Sequence, residues 1–557
     1  MFKFSEKIEI IVAFLLLSLI FILKYPILNL PYSWDVMNYV IPAAQHIYEN
    51  GFAIFFWNYS NGHPPFYFIL LGFVFKLFGS SQVVSHLVTV FFSFLAVYFT
   101  YLLGKLLFNR KVGITAALLM FFYPTFFSYS GMSYLAIPLA ALTIMSIYYF
   151  IKGNKLIYVV VSSSLALTTE RAVVIPVALL FYEILKNKRI NIKKDIILSI
   201  PVIIFGLWLI SNKIYYGYFM YPISISFLDM NIIKIILNSL IILKSLFFDY
   251  YKWILTSFII LSCFSIKLLK FNKKLLYNLI VSFAFFLVLF NLPNFSIYFE
   301  SIFSHVSNYF LIVRKFSLLF SLLFFILLSF IKNFIVIWNN KKFYPLYLVF
   351  IFAFLSYIPF VFSPRYSLPI YPIIFIFFAY SLVKIFKKYF YIPILIILFI
   401  FVLQYTGQSS SVGFVLENNM EYSDSIKVHQ IAAEYLQNEF PNSVILASFP
   451  QSLELQYSYL GYVKKPLNVV SIPTYPGLIT KNYTIFLNPN IYNKTIDLNL
   501  IDVVYYSGQE YKTRYSRELN NILNKTLVRK FELNNKTVEI YKINKNIVYP
   551  NYTMYMD

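Results

Sequence analysis

The sequence predicts a polytopic α-helical membrane protein of about 13 transmembrane helices, followed by a C-terminal extracytoplasmic α/β domain. Three observations carry this. The 557 residues are 60% hydrophobic and 21% aromatic but only 12% charged, with a mean hydropathy of +0.70, whereas soluble domains carry roughly 25% charged residues. The net charge of +23 is uneven, because residues 1–405 contribute +22 and residues 406–557 only +1. Beyond 406 the long apolar runs give way to short helix- and strand-like segments. The composition also excludes disorder, which needs charge and few aromatics. The basic residues sit in short breaks between apolar runs, so they read as topology determinants and not as a nucleic-acid surface.

Apolar stretches of spanning or near-spanning length fall at 8–26, 82–107, 112–128, 135–151, 156–169, 171–187, 194–211, 250–268, 275–292, 314–332, 343–362, 367–386 and 389–405. The first is too long for a signal-peptide core and lacks a small-residue cleavage site, so it reads as a retained span. With the N-terminus cytoplasmic, every cytoplasmic break is basic, among them Lys105/Arg110/Lys111 and Lys384/Lys387/Lys388. An odd count leaves the C-terminal domain outside a multi-pass plasma-membrane protein. The apolar stretches 65–79 and 232–248 are assigned to the outer interface, since either one taken as a span would put basic loops outside. Cys263 lies within an apolar run, which excludes a disulfide framework and a cysteine metal site.

Glycosylation sequons offer an independent test of orientation, because they matter only on the outer face. They begin at Asn58, Asn294, Asn482, Asn493, Asn524, Asn535 and Asn551, all on expected external segments. None begins in an expected cytoplasmic break. Sequon density and richness in Ile, Lys, Asn and Tyr match an archaeal surface environment.

The chain divides at about 405 into a membrane part (1–405, with a first external loop at 27–81) and an α/β domain (406–557). In the latter, 423–440 has helical spacing and ends at Pro441, SVILAS and IDVVYYS read as buried strands, 515–527 reads as a second helix, and LVRKFELN and TVEIYKIN read as closing strands. No phosphate-binding glycine loop and no cluster of metal-ligating residues occurs there.

Only ten acids occur before residue 406: Glu6, Glu9, Asp35, Glu49, Glu170, Glu183, Asp195, Asp229, Asp249 and Glu300. Carboxylates near hydrocarbon are costly, so each needs a reason. Asp35, in PYSWDVMNY at the outer interface, has two readings: a helix N-cap or a reacting group. The loop then runs through Gly51 to NGHPPFYFILLGFVFKLFG, an apolar amphiphile entered through two prolines.

Asp35-x-x-x-Tyr39, Gly51, His63-Pro64-Pro65-x-Tyr67 and the apolar segment ending Leu77-Phe78-Gly79 resemble the first extracytoplasmic loop of GT-C type glycosyltransferases that use polyprenyl-phosphate sugars, the protein O-mannosyltransferase and aminoarabinose transferase superfamily. SPRYSLPIYP at 363–372 is similar to the superfamily's Arg-Tyr-x-x-Pro-x-x-Pro, and LALTTERAVVIP at 165–176 is a looser match. The resemblance implies a GT-C-like fold and an inverting transfer, on the outer face, from a polyprenyl (dolichyl-type) phosphate carrier to a hydroxyl acceptor on a glycan, lipid or protein. It makes Asp35 the candidate base, since a hydroxyl must lose its proton as it attacks.

The departing lipid phosphate needs fixed cations where water is scarce, and Arg365 and Arg171 are the candidates, each with the alternative of a snorkelling or structural role. His63 is a candidate phosphate ligand or an ordinary interfacial hydrogen bonder, Glu170 either orients Arg171 or forms a plain ion pair with it, and Tyr39 completes the donor-binding set. The second external loop, FSYSGMSYLAIP, lacks the acid common in the superfamily, and Val36 stands where a second acid is frequent. No cofactor is required on this reading, and a divalent cation is an open alternative that no paired acids support. A transporter or flippase of an amphipathic substrate is the competing class; transporters carry internal repeats and polar midplane helices, and no repeat is found here. A non-enzymatic surface protein is the third.

Overall fold

The computed structural model describes residues 4–187, 192–222, 228, 230–264, 341–360, 363–406, 419–472, 495–507, 519, 522–549 and 552–553. Helices lie over eleven of the thirteen apolar stretches, and the two at 275–292 and 314–332 fall outside the described residues. In chain order the long helices are α1 (Phe4–Lys24), α2 (Ile41–Asn50), α3 (Phe66–Phe78), α4 (Gln82–Leu107), α5 (Arg110–Phe122), α6 (Ala136–Lys152), α7 (Lys155–Ala166), α8 (Val174–Asn187), α9 (Ile192–Tyr216), α10 (Ile232–Phe247), α11 (Lys252–Phe264), α12 (Tyr344–Tyr357), α13 (Tyr371–Phe386) and α14 (Tyr391–Leu403).

Their starts follow from local chemistry. Ser81, Asn109 and Asn154 each turn a side-chain oxygen onto the amide three residues on, satisfying one of the orphan donors of the first turn of α4, α5 and α7. The stretch 112–128 is one helix in hydropathy but two in structure, because Pro124 forces the preceding Tyr123 into an extended conformation. Among the described residues, three helices are long and apolar enough by themselves to cross a bilayer: Lys7–Ile27, Gln82–Leu107 and Asp195–Tyr216. Large apolar side chains face outward, with Phe14 68% and Leu395 63% exposed, as lipid-facing positions require.

Helices α4 and α5 cross where glycines remove the side chains between them. A Cβ on Gly113 would lie 2.4 Å from the Tyr101 carbonyl oxygen, and one on Gly104 would lie 2.9 Å from the Gly113 Cα. Gly113→Val is expected to force the helices apart at a cost of about 1–3 kcal/mol, read as a lower unfolding midpoint in detergent.

The stretches expected at the outer interface form α3 and α10. Helix α3 packs on α2, with Gly72 against Ile47 and the Ala44 carbonyl, and buries Tyr67, Phe68, Leu71 and Phe75.

The C-terminal part begins with α15 (Glu421–Glu439), which packs on a five-stranded sheet of β1 (Val444–Ser448), β2 (Asn468–Ile472), β3 (Val503–Ser507), β4 (Lys525–Leu533) and β5 (Lys536–Ile543), in the order β2-β1-β3-β5-β4. The β1 strand runs parallel to β2 and β3; β3/β5 and β5/β4 are antiparallel. Hairpin β4–β5 turns through Asn534 (φ 45°) and Asn535 (φ 62°), the left-handed pair that a tight turn between twisted strands needs and that asparagine tolerates best after glycine. One expectation is corrected. Residues 525–527, the end of the anticipated helix 515–527, are strand, since pairing with β5 overrides a weak local preference. Strand β2 was not anticipated; its NVVSI run is short, and its partner β1 supplies the order.

Candidate active site

Helix α1 ends at Lys24, which is fully buried, with its ammonium over the Phe127 ring at 3.3 Å and donating to the Phe127 carbonyl. The chain then turns at Trp34, whose φ of 40° is strained for a bulky residue. Asp35 follows, and Val36–Val40 form a π-helical turn before α2, a local widening often found at functional positions. Asp35 stands at the N-cap of that turn yet makes no capping bond. Its Oδ2 instead accepts from Arg365 Nη2 at 2.5 Å, and among the described residues nothing bonds Oδ1.

Arg365 sits on the short helical turn Pro364–Ser367, with its side chain 11% exposed. Its guanidinium carbon lies 5.1 Å from the Tyr134 ring centre and 5.4 Å from that of Tyr366. Burial would lower its pKa, but the Asp35 carboxylate together with Tyr366, Tyr129 and Tyr39 outweighs that and holds it well above the ordinary value.

His63 is reached through Asn61 (φ 54°) and Gly62 (φ 77°); a Cβ at Gly62 would also collide with Tyr221. Pro64 and Pro65 follow, and the Phe66 amide donates to the Leu167 carbonyl at 2.9 Å, tying the loop to the turn that bears Glu170. His63 Nδ1 lies 2.9 Å from Glu170 Oε2, and its ring centre is 5.2 Å from that of Tyr39. Burial would lower the His63 pKa, but the Glu170 carboxylate outweighs it and raises the value above 6.5; burial would raise that of Glu170, and His63 outweighs it and holds it below 4.5. The pair is therefore imidazolium and carboxylate across the intervening range. The Tyr39 phenol is raised well above 10, by burial first and then by the Asp35 carboxylate.

Glu170 thus pairs with His63 and not with Arg171, a correction of the anticipated orienting role. The Arg171 guanidinium carbon stacks 3.8 Å from the Phe360 ring centre and 5.3 Å from that of Tyr366. Tyr366 consequently stands between the two arginines. The six candidates Asp35, Tyr39, His63, Glu170, Arg171 and Arg365 are one neighbourhood, in which Arg365 forms the ion pair with Asp35 and the carboxylate also acts electrostatically on Tyr39 and His63. Among the described residues, no three His, Cys, Asp or Glu side chains form a metal-holding group. Each acid places one oxygen in its pair, Asp35 Oδ2 with Arg365 and Glu170 Oε2 with His63, while Glu170 Oε1 is buried with no hydrogen-bond partner among the described residues.

The linkage of the His63–Glu170 pair has a defined sign. His63, with a raised folded pKa, contributes stability that is full below its unfolded value of 6.5 and is lost as pH rises through the folded value; the Glu170 contribution is lost as pH falls through its lowered value. In Glu170→Gln burial, the largest influence on His63, acts with Arg171 to lower its pKa against the weaker Asp35 contribution, so the trend inverts. Lowering pH from 8 to 6 is expected to raise the unfolding midpoint of the wild type and to lower that of the variant, as thermal unfolding in detergent would show.

Some groups in and around this neighbourhood were not singled out from sequence. Tyr366 and Tyr134 lie in quoted motifs, but nothing in spacing marks a ring that flanks a guanidinium. Lys252, fully buried, donates to the Tyr123 hydroxyl at 2.6 Å and the Tyr371 hydroxyl at 3.2 Å, with Asp249 nearby; its only signal was a lysine at the edge of an apolar run. Of the sequon asparagines, Asn58, Asn524 and Asn535 are exposed, while Asn294, Asn482, Asn493 and Asn551 lie outside the described residues.

The described residues form a multi-helix fold in which charged side chains on connecting loops come together. Residues 62–216 match the family model described as dolichyl-phosphate-mannose-protein mannosyltransferase. Over 94% of its length the chain is similar to 97% of ArnT from Cupriavidus metallidurans bound to undecaprenyl phosphate, with a TM-score of 0.52 and 9% identity. It also matches the Archaeoglobus fulgidus oligosaccharyltransferase in complex with Zn and sulfate, covering 88% of this chain and 68% of that one, at a TM-score of 0.42 and 13% identity. Comparison with curated proteins gives no match. The chain has the GT-C type of fold, and its resemblance to the GT-C superfamily rests on the matched segment and the ArnT likeness together.

Proposed function

We propose that the protein is an integral-membrane glycosyltransferase of GT-C type that moves a sugar from a polyprenyl-phosphate carrier, of the dolichyl kind, to a hydroxyl acceptor at the outer face of the plasma membrane, with inversion. The N-terminus is cytoplasmic and the C-terminal α/β domain (406–557) extracytoplasmic; exposure of the Asn58, Asn524 and Asn535 side chains is in keeping with that orientation. The observation that carries the reading is the Asp35–Arg365 ion pair beside the His63–Glu170 pair, on loops joined to helix ends.

Asp35 takes the proton of the attacking hydroxyl through Oδ1 while Arg365 fixes the carboxylate by Oδ2. Arg365, Arg171 and His63, kept cationic by Glu170, stabilise the charge that gathers on the departing lipid phosphate. Tyr39 walls the pocket between Asp35 and His63. A flippase would need no base. Incubating the purified protein with polyprenyl-phosphate sugars and analysing products by mass spectrometry tests the reading: sugar release or transfer is expected, and intact donor throughout would overturn it.

A further inference from the structure

Helix α10 supplies no reacting group, but one of its faces meets both flanks of the segment that bears Arg365. Helical spacing puts Asn238, Ile242, Ser245 and Leu246 on that face, where Ile242, Ser245 and Leu246 are buried and Asn238 is half-buried. Ile232, Ile233 and Ile236 are exposed. The helix therefore turns an amide inward while isoleucines face out, the reverse of what solvation alone would select.

The inward amide has two acceptors. Asn238 Nδ2 donates to the Ile358 carbonyl at 3.0 Å and to the Phe360 carbonyl at 3.1 Å. Both partners are acceptors, so it is the nitrogen of the amide, with its two hydrogens, that faces them. These carbonyls lie just past the end of α12, where a helix runs out of its own donors, and one side chain from 120 positions away meets both. About two turns further along α10, the Ser245 carbonyl accepts from the Tyr371 hydroxyl at 3.3 Å and from the Lys252 ammonium, which also reaches the Tyr371 hydroxyl at 3.2 Å. Ser245, Lys252 and Tyr371 are fully buried. Segment 358–371 is thus tied to α10 near each end.

The tie at Phe360 matters for Arg171. Among the described residues no carboxylate forms an ion pair with this arginine, and what flanks its guanidinium is the Phe360 ring at 3.8 Å and the Tyr366 ring at 5.3 Å. Both rings belong to the segment that α10 holds. A cation resting on a ring is placed only as well as the ring is placed.

We propose that Asn238 is a positioning residue for donor binding: by fixing the Ile358 and Phe360 carbonyls it sets the Phe360 ring, and through that ring the Arg171 guanidinium. The inference rests on the reading that gives Arg171 a lipid phosphate.

The test uses the full chain in nanodiscs, with binding of a short-chain polyprenyl phosphate and turnover of polyprenyl-phosphate sugars measured separately. Asn238→Leu, which deletes both donors at similar volume, is expected to weaken polyprenyl-phosphate binding and raise donor KM about tenfold, with kcat changed by less than about threefold. In an Arg171→Ala background the same substitution should cost less than about twofold, because the cation it aims is gone. Asn238→Gln, which keeps the amide, should recover part of the loss. Phe360→Leu leaves the backbone carbonyls to Asn238 and should reproduce the binding defect, so it carries the test if Asn238→Leu fails to fold. Wild-type affinity in either leucine variant, or a tenfold loss that persists without Arg171, would overturn the positioning role. Intact donor with the wild type would refute the glycosyltransferase reading, whereas donor cleavage with unaltered polyprenyl-phosphate affinity in the variants refutes the role of Asn238 alone.

Discussion

Asp35→Asn should lower sugar transfer by roughly 10² to 10⁴, the range that a positioned general base contributes, while membrane insertion is kept. The amide is isosteric and still accepts from Arg365 Nη2 through its oxygen, so the loop keeps its anchor. What it loses is the capacity to take a proton. Single-turnover assays with saturating donor isolate this step. Transfer within threefold of wild type would remove Asp35 from the chemistry and leave it as a partner of Arg365.

Arg365→Ala has a different signature, because two effects coincide. The variant strips the carboxylate of its partner, and it removes a cation from the pocket assigned to the lipid phosphate. A hydrogen bond to a charged group is worth about 1.5–3 kcal/mol, so donor affinity should fall by roughly 10- to 150-fold, with an additional drop in the maximal rate from the misplaced base. Arg365→Lys should recover only part of the loss, since an ammonium cannot hold the planar geometry that stacks between Tyr134 and Tyr366. Titrating donor at fixed acceptor tests this, and an unchanged donor KM in Arg365→Ala would count against a phosphate role.

Much of the fold was legible because hydropathy acts over long windows. Twenty apolar residues in a row have few alternatives to a helix, and asparagine or serine at 81, 109 and 154 marks where helices begin. What hydropathy does not encode is a break inside a run, so Pro124 divides 112–128 unforeseen. Length alone also leaves 525–527 ambiguous until β5 lies beside it. The candidate site was legible through charge economy: acids and arginines at an outer boundary are costly, so Asp35, Glu170, Arg171 and Arg365 stood out before their positions were known. Which of them pair was not legible. Sequence neighbours suggested Glu170 with Arg171, but the turn at Asn61 and Gly62 delivers His63 from 107 positions away, and geometry prevails over adjacency. Aromatic partners such as Tyr366 escaped notice because 49 tyrosines in the chain carry no individual signal.

The strained turn at Trp34 does not stand alone. The Tyr462 hydroxyl donates to the Tyr32 carbonyl at 2.7 Å across 430 positions, the Tyr32 amide reaches the Leu460 carbonyl, and the Gln82 amide group donates to the Tyr459 carbonyl at 3.1 Å. Gly461, at φ 92°, lies so close to the Gln82 side chain that any larger residue would push against it. The turn that bears Asp35 is therefore braced from residues 459–462. A larger side chain at Gly461 would displace Gln82 and, through the Tyr32 contacts, the turn that aims the Asp35 carboxylate.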